Sequence, residues 1–204
     1  MATVNIAEAE PWRRQLKALR PLFSKCACLA ALLTVFAATL APAQNHPTEI
    51  QVKSAYLYNF GKFVSWPLER AASSDSFPIC ILGKDPFGPV LDATVKGESI
   101  GGKQITLRKP ANMLEAAGCR VLFVSTSEQG HVGPILAAAQ RMNALTVSDI
   151  PDFAEHGGVI GLVAQADRIR FEVNRAAAEK SNLVLSSELL KVATKVIDKE
   201  TPGQ

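Results

Sequence analysis

The chain has few of the residues from which catalytic and metal centres are built. Its 204 residues include three histidines and four cysteines. The histidines, His46, His131 and His156, lie in polar or glycine-flanked segments without a second ligand at metal-binding spacing, which argues against a zinc or iron site. No serine stands in a Gly-x-Ser-x-Gly elbow, so we predict no nucleophilic triad, no catalytic residue and no cofactor.

A long hydrophobic run is also missing. The apolar segment at residues 26–40 carries no charge but is shorter than the roughly 20 residues with which a helix spans a bilayer. Basic residues precede it, and Ala41-Pro42-Ala43 follows it with small side chains at the positions that a signal peptidase inspects. We expect a signal peptide over residues 1–43 and a mature domain over 44–204, with a membrane anchor as the alternative. The arginine pair Arg13-Arg14 leaves the export route open between Sec and Tat.

Net charge is the third feature that the mature domain lacks. The signal peptide contains five of the 22 basic residues and two of the 19 acidic ones, so 17 of each sign remain. A neutral domain has no overall electrostatic attraction for nucleic acid or for anionic membranes. We therefore predict no nucleic-acid partner for this exported domain.

Removal of the signal peptide leaves two cysteines, Cys80 and Cys119. In an oxidising compartment such a pair favours one disulfide, and two buried free thiols are the alternative. Their separation of 39 residues is too large for a Cys-x-x-Cys motif, which argues against an oxidoreductase. A disulfide that closes a loop of this length stabilises a domain by roughly 3 to 4 kcal/mol.

Apolar periodicity predicts an α/β fold. An amphipathic helix is expected over Thr48–Trp66, with Ile50, Leu57, Phe60 and Val64 on one face, and its aromatic side chains either pack along a sheet or in part contact a partner. The predicted strands that follow are Phe77–Leu82, Gln104–Leu107, Arg120–Val124 and Ala144–Val147. The predicted helices among them are Pro89–Thr94, Asn112–Ala117 and Pro134–Met142. This alternation is typical of crossover connections and a mostly parallel central sheet flanked by helices.

The C-terminal part departs from that alternation. The β-rich runs Val159–Val163 and Arg168–Val173 are separated by four residues, which favours an antiparallel hairpin. Helices are predicted over Ala176–Lys180 and Glu188–Ile197. The predicted fold is therefore one α/β domain with an N-terminal amphipathic helix, a mostly parallel sheet and a C-terminal β-hairpin.

Two loops after predicted strands are candidate binding sites. Gly83–Gly88 follows a strand and opens a helix, where open α/β sheets often bind ligands, but it lacks the sequence of a phosphate-binding loop. Ser148–Phe153 contains Asp149 and Asp152. The simpler interpretations are a tight turn for the first loop and acids that cap a turn in the second. Without a catalytic constellation, the sequence favours binding over catalysis.

Seven segments, in order along the predicted mature chain, resemble the sequence of one protein family. They are Lys53–Phe60 with Phe63, Trp66 and Pro67, Ile79–Gly88, Cys119–Ser125, Leu145–Asp149, Gly157–Ile160, Ile169–Asn174 and Leu185–Leu190. Together they resemble the YfiR-type periplasmic regulators.

The resemblance implies a periplasmic, non-enzymatic repressor that holds an inner-membrane diguanylate cyclase inactive through the periplasmic region of the cyclase. An outer-membrane, peptidoglycan-binding lipoprotein sequesters such repressors, after which cyclic di-GMP and biofilm formation rise. A second copy of the chain is a further candidate partner. A periplasmic small-molecule sensor that binds its ligand near Asp85 or Asp149 is the alternative function.

The resemblance also implies particular site residues. One family disulfide falls at Cys80 and Cys119, whereas a second has no counterpart because residues 154–161 contain no cysteine. The partner-binding surface of the family lies around the last strand and the following segment, which makes Glu172, Leu185 and Leu190 the candidates. The alternative is that Glu172 is a solvated strand charge and that the two leucines belong to the core.

Overall fold

The computed structural model describes residues 47–67 and 75–198. The predicted signal peptide, residues 1–43, lies outside these ranges. Within them no helix is both long enough and apolar enough to cross a membrane.

Helices and strands alternate along most of the described chain. In order they are α1 (Glu49–Lys62), β1 (Val64–Ser65), β2 (Ser76–Leu82), α2 (Pro89–Val95), β3 (Ser99–Ile100), β4 (Lys103–Arg108), β5 (Val121–Val124), a 3₁₀ helix (Thr126–His131), α3 (Val132–Arg141), β6 (Leu145–Ser148), β7 (Ile160–Gln165), β8 (Arg168–Asn174), α4 (Arg175–Lys180), β9 (Val184–Leu185), α5 (Ser187–Val192) and β10 (Lys195–Ile197). The four strands predicted before the hairpin are confirmed to within one residue at each end.

The main sheet has the strand order β10-β8-β7-β6-β5-β2-β4-β3, and β1 pairs with β9 in a separate two-stranded ribbon. Pairing is parallel from β4 through β2, β5 and β6 to β7, and antiparallel between β7 and β8. The predicted fold class, a mostly parallel sheet with flanking helices, is confirmed.

The sheet separates two apolar layers, because successive residues of a strand face opposite sides. Ile79 of β2 belongs to the layer that contains Phe60 of α1 and Leu91 of α2. The next residue, Cys80, belongs to the layer that contains Ile135 of α3. Helices therefore cover both faces of the sheet.

The predicted N-terminal helix is present but shorter than expected. It begins with a capping box, in which the Thr48 side chain accepts a hydrogen bond from the backbone N–H of Gln51 and the Gln51 side chain accepts one from Thr48. It ends at Lys62 because β1 follows and pairs with β9. Leu57 and Phe60 are buried as predicted, whereas Ile50 is 40% exposed and lines an open groove beside the loop after β2.

Two predicted helices are wrong in whole or in part. Residues 112–117 form turns, where the Asn112 side chain accepts hydrogen bonds from the backbone N–H groups of Leu114 and Glu115. Leu114 is 88% exposed and Ala116 is the one fully buried residue of the segment, so little buried apolar surface is there to hold it as a helix. The helix predicted over Glu188–Ile197 stops at Val192, and Lys195–Ile197 pairs with β8 as a parallel strand instead.

The predicted hairpin is confirmed. Strands β7 and β8 are joined by Ala166 and Asp167, whose φ angles are 47° and 59°. Two consecutive positive φ angles are typical of the type I′ turn, whose twist suits a two-residue hairpin connection.

Candidate functional site

The carboxyl ends of the parallel strands form the first place to look for a ligand site. The chain that leaves β2 enters α2 on one face of the sheet, and the chain that leaves β5 enters α3 on the other. Neighbouring strands whose connections diverge in this way leave a crevice between them, where doubly wound proteins bind ligands.

The loop after β2 is held as a tight turn by Asp85. One carboxylate oxygen accepts hydrogen bonds from the backbone N–H groups of Phe87 at 2.8 Å and Gly88 at 3.3 Å, and the other lies 2.7 Å from Lys109 Nζ. Partial burial acts to raise the pKa of Asp85, but Lys109 and the two N–H groups outweigh it and hold the pKa below its usual range. Asp85 therefore has a structural role, as the simpler interpretation of this loop predicts.

Side chains of the protein itself fill the crevice between β2 and β5. The backbone N–H of Lys84 donates to Ser127 Oγ at 2.9 Å. A Cβ atom added to Gly83 would lie 2.4 Å from Ser127 Oγ and 2.8 Å from Glu128 Oε1. Since Gly83 leaves no space even for a methyl group, this crevice does not have the shape of a nucleotide or phosphate site.

The second candidate loop joins the sheet to α1. Lys53 Nζ lies 2.6 Å from Asp149 Oδ2 and 2.6 Å from Glu49 Oε1. Burial acts to lower the pKa of Lys53, but the two carboxylates raise it above its usual value. The expected capping role falls to Ser148 rather than Asp149, because Ser148 Oγ accepts the backbone N–H of Ile150 at 3.0 Å.

A groove lies between the first turns of α1 and the loop after β2. It encloses about 410 Å³ and is lined by Thr48, Glu49, Ile50, Lys53, Pro86 and Phe87. Ligand pockets commonly have volumes of roughly 300 to 1,000 Å³, so the groove is large enough for a small molecule. Its charged lining residues, Glu49 and Lys53, already pair with each other.

The structure joins Cys80 and Cys119 in a disulfide, as predicted. The two Cα atoms are 5.9 Å apart, a normal distance for such a bond, and both residues have no exposed surface. The bond connects β2 to the segment before β5 on the α3 side of the sheet. In the described residues no three His, Cys, Asp or Glu side chains cluster closely enough to hold a metal ion.

The three predicted partner-binding residues do not share one surface. Leu185 and Leu190 are partly buried against the layer that contains Phe171 and Val173. Glu172 lies between those two residues on β8, so its side chain faces the opposite side of the sheet. A role for any of the three in partner binding stays a prediction.

Exposed apolar residues flank the two leucines, and two of them, Val184 and Val192, were not predicted from the sequence. Val184 is 68% exposed and Val192 is 64% exposed, and Phe63, which precedes β1, is 39% exposed. The pairing of Ser65 with Val184 places Val184 on the outer side of the ribbon formed by β1 and β9. Strands of two residues leave too short a pattern for the sequence to reveal that face.

These features define an open, doubly wound α/β domain whose ionisable loop residues have structural partners. The model of the YfiR/HmsC-like family matches residues 50–194, which is more than half of the chain. The chain belongs to the YfiR/HmsC-like family.

One solved structure shares the fold at low sequence identity. A conserved domain protein from Vibrio cholerae O1 biovar El Tor is 10% identical, with a TM-score of 0.52 over 73% of this chain and 60% of that one. The chain thus spans about 60% of the length of that protein. An ABC domain from Streptococcus pneumonia in complex with L-Trp is 13% identical, with a TM-score of 0.42 over 64% of this chain and 58% of that one. No curated protein matches the chain.

Proposed function

We propose that this protein is a periplasmic repressor of an inner-membrane diguanylate cyclase. It binds the periplasmic region of the cyclase, keeps the enzyme inactive, and so limits cyclic di-GMP and biofilm formation. The observation that carries the proposal is membership of the YfiR/HmsC-like family across residues 50–194. An outer-membrane, peptidoglycan-binding lipoprotein would relieve the repression by sequestering the protein.

The geometry supports binding to a protein rather than catalysis. The crevice in which a doubly wound fold usually holds a ligand is filled by Ser127 and Glu128. Asp85, Asp149 and Lys53 are neutralised by neighbouring charges, which favours a structural role over general acid or base chemistry. The disulfide gives the exported domain a rigid frame on which a docking surface can be displayed.

Glu172 is the first residue to change in a cellular test. Glu172→Lys should raise cyclic di-GMP, measured by mass spectrometry of nucleotide extracts, because Glu172 would pair with a basic group of the cyclase, which a lysine repels. Glu179→Lys is the control, since Glu179 is an exposed glutamate on another element and pairs with Arg175 of its own helix. An unchanged cyclic di-GMP level, with normal amounts of variant protein on an immunoblot, contradicts the proposed role of Glu172.

The groove beside α1 favours a second candidate function, a periplasmic small-molecule sensor. Its volume of about 410 Å³ and its mixed lining suit a small ligand. A thermal-shift screen against periplasmic metabolites tests this candidate, because a ligand that binds only the folded state raises Tm. Ile50→Trp, which adds bulk in the groove, should abolish any shift that arises there.

A further inference from the structure

The hairpin of β7 and β8 extends beyond the sheet. Pairing of β6 with β7 ends at Ser148 and Gly161, whereas pairing of β7 with β8 continues to Gln165 and Arg168. On the other side, β10 pairs with β8 only from Glu172 to the end of β8. Residues 162–171 therefore form a two-stranded projection with no further strand beside it in the described residues.

Helix α1 covers one face of this projection and holds it in place. The ring of Phe171 packs against Phe60 at 5.0 Å and Tyr56 at 5.4 Å between centroids. The Tyr56 hydroxyl donates a hydrogen bond to the carbonyl oxygen of Ile169 at 3.1 Å. The projection is thus supported by α1 from one side.

The opposite face of the projection is open. Strand alternation places Val163, Gln165, Arg168 and Arg170 on it, and we call these four residues the hairpin face. Gln165 lies opposite Arg168, and Val163 lies opposite Arg170. Both arginines are exposed.

The hairpin face carries positive charge that the described part of the chain does not neutralise. Glu172 lies on the same side of β8 but outside the projection, opposite Lys195 of β10, whose ammonium group pairs with Glu155. Arg168 and Arg170 take part in no salt bridge with any described residue. Two arginines two residues apart on one strand face are separated by about 7 Å along the strand. Carboxylates at a similar spacing could pair with both.

We propose that the hairpin face binds an acidic segment of the periplasmic partner, with carboxylates paired to Arg168 and Arg170. A guanidinium group binds a carboxylate through two parallel hydrogen bonds, which gives such a contact directional specificity. The identity of the partner rests on the proposed function, but the acidic chemistry of the ligand rests on the charges of this face.

Charge also selects this occupant over two others. A second copy docked face to face across a two-fold axis would place the same arginines opposite each other, which is repulsive. Each basic residue near an anionic membrane contributes only about 1 kcal/mol to the binding free energy, so two arginines give weak attachment. An acidic protein segment satisfies both charge and geometry.

The direct test uses an octapeptide of alternating Asp and Thr, with an Asn-Thr octapeptide as the uncharged control. Titrated into the ¹⁵N-labelled full chain, purified after export, the acidic peptide should shift the amide resonances of residues 163–170, and added salt should weaken the effect. Arg168→Glu/Arg170→Glu should abolish these shifts. Lys96→Glu/Arg141→Glu, which reverses two exposed charges elsewhere, should retain them.

Three results overturn the inference: shifts centred on another surface, equal shifts in the Arg168→Glu/Arg170→Glu variant, or equal perturbation by phosphatidylglycerol vesicles. A capture experiment separates it from the proposed function. If the wild type and this variant recover equal amounts of a cyclase, the hairpin face is not the docking site and the repressor function stands. If the peptide binds the hairpin face but no cyclase is captured, the repressor function is wrong and the acidic-ligand site stands.

Discussion

Reduction of the Cys80–Cys119 disulfide should lower the free energy of unfolding by an amount that follows from the loop it closes. The sequence separation of 39 residues corresponds to about 4 kcal/mol in the chain-entropy relation. Domains are typically stable by only about 5 to 15 kcal/mol, so this one bond supplies a large fraction of the total.

Urea denaturation of the oxidised and the reduced protein measures the effect. With a urea dependence of about 1 to 3 kcal/mol per M, a loss of about 4 kcal/mol shifts the midpoint downward by roughly 1.3 to 4 M. Because both cysteines are fully buried, reduction should need partial unfolding and should be slow without denaturant.

The control is Cys80→Ala/Cys119→Ala, on which the reductant should have no effect. The reasoning is refuted if reduction of the wild type changes the free energy of unfolding by less than about 1 kcal/mol, well below the relation for this loop. Titration of two free thiols in the unfolded, unreduced protein would contradict the bond itself.

Three further perturbations test the packing and the electrostatics. Phe60→Ala should cost about 3 to 5 kcal/mol in chemical denaturation, since it opens a cavity under Phe171; a loss below about 1 kcal/mol would contradict this packing. Gly83→Ala should lower Tm more than Gly97→Ala, because both glycines have positive φ but only the former contacts Ser127; equal shifts would show an unfilled crevice. The folded-state pKa of Asp85 is lowered, so its stabilisation is present above the ordinary Asp pKa of about 3.9 and is lost as pH falls through the folded pKa. In Asp85→Asn the free energy of unfolding should no longer fall at low pH by the share that Asp85 contributes, about 0.5 to 1 kcal/mol for this partly exposed pair. The same pH dependence of stability in the variant and the wild type would contradict this role of Asp85.

Local sequence patterns predicted the helices and strands in which buried residues form a regular or continuous pattern. The buried runs of β2 and β5 are apolar and bounded by turn residues, which is enough to identify parallel strands. The prediction of a helix through residues 195–197 was wrong because β10 depends on pairing with β8, about 20 residues earlier, and its apolar residues fit a helix equally well. The prediction of a helix over residues 112–117 was wrong because an Asn112 side chain can cap a turn as readily as the start of a helix.

The candidate site was predictable only where chemistry left few choices. Residues 44–204 contain two cysteines, which permit one intramolecular pairing, and the structure contains it. The salt bridge between Lys53 and Asp149 joins residues 96 positions apart, and no local sequence pattern predicts such a contact. Sequence likeness grouped Glu172 with Leu185 and Leu190, but strand alternation places the glutamate on the other side of the sheet. The open hairpin face emerges only from where β6 ends relative to β7.

Capture of the membrane partner tests the central claim most directly. The full-length gene product, purified from its own organism, is immobilised and exposed to the detergent-solubilised envelope of that organism, and bound proteins are identified by mass spectrometry. The proposed function predicts enrichment of an inner-membrane diguanylate cyclase with a periplasmic region, and less of it on the Glu172→Lys variant. A folded wild-type protein that recovers no cyclase from an envelope known to contain one would contradict the claim.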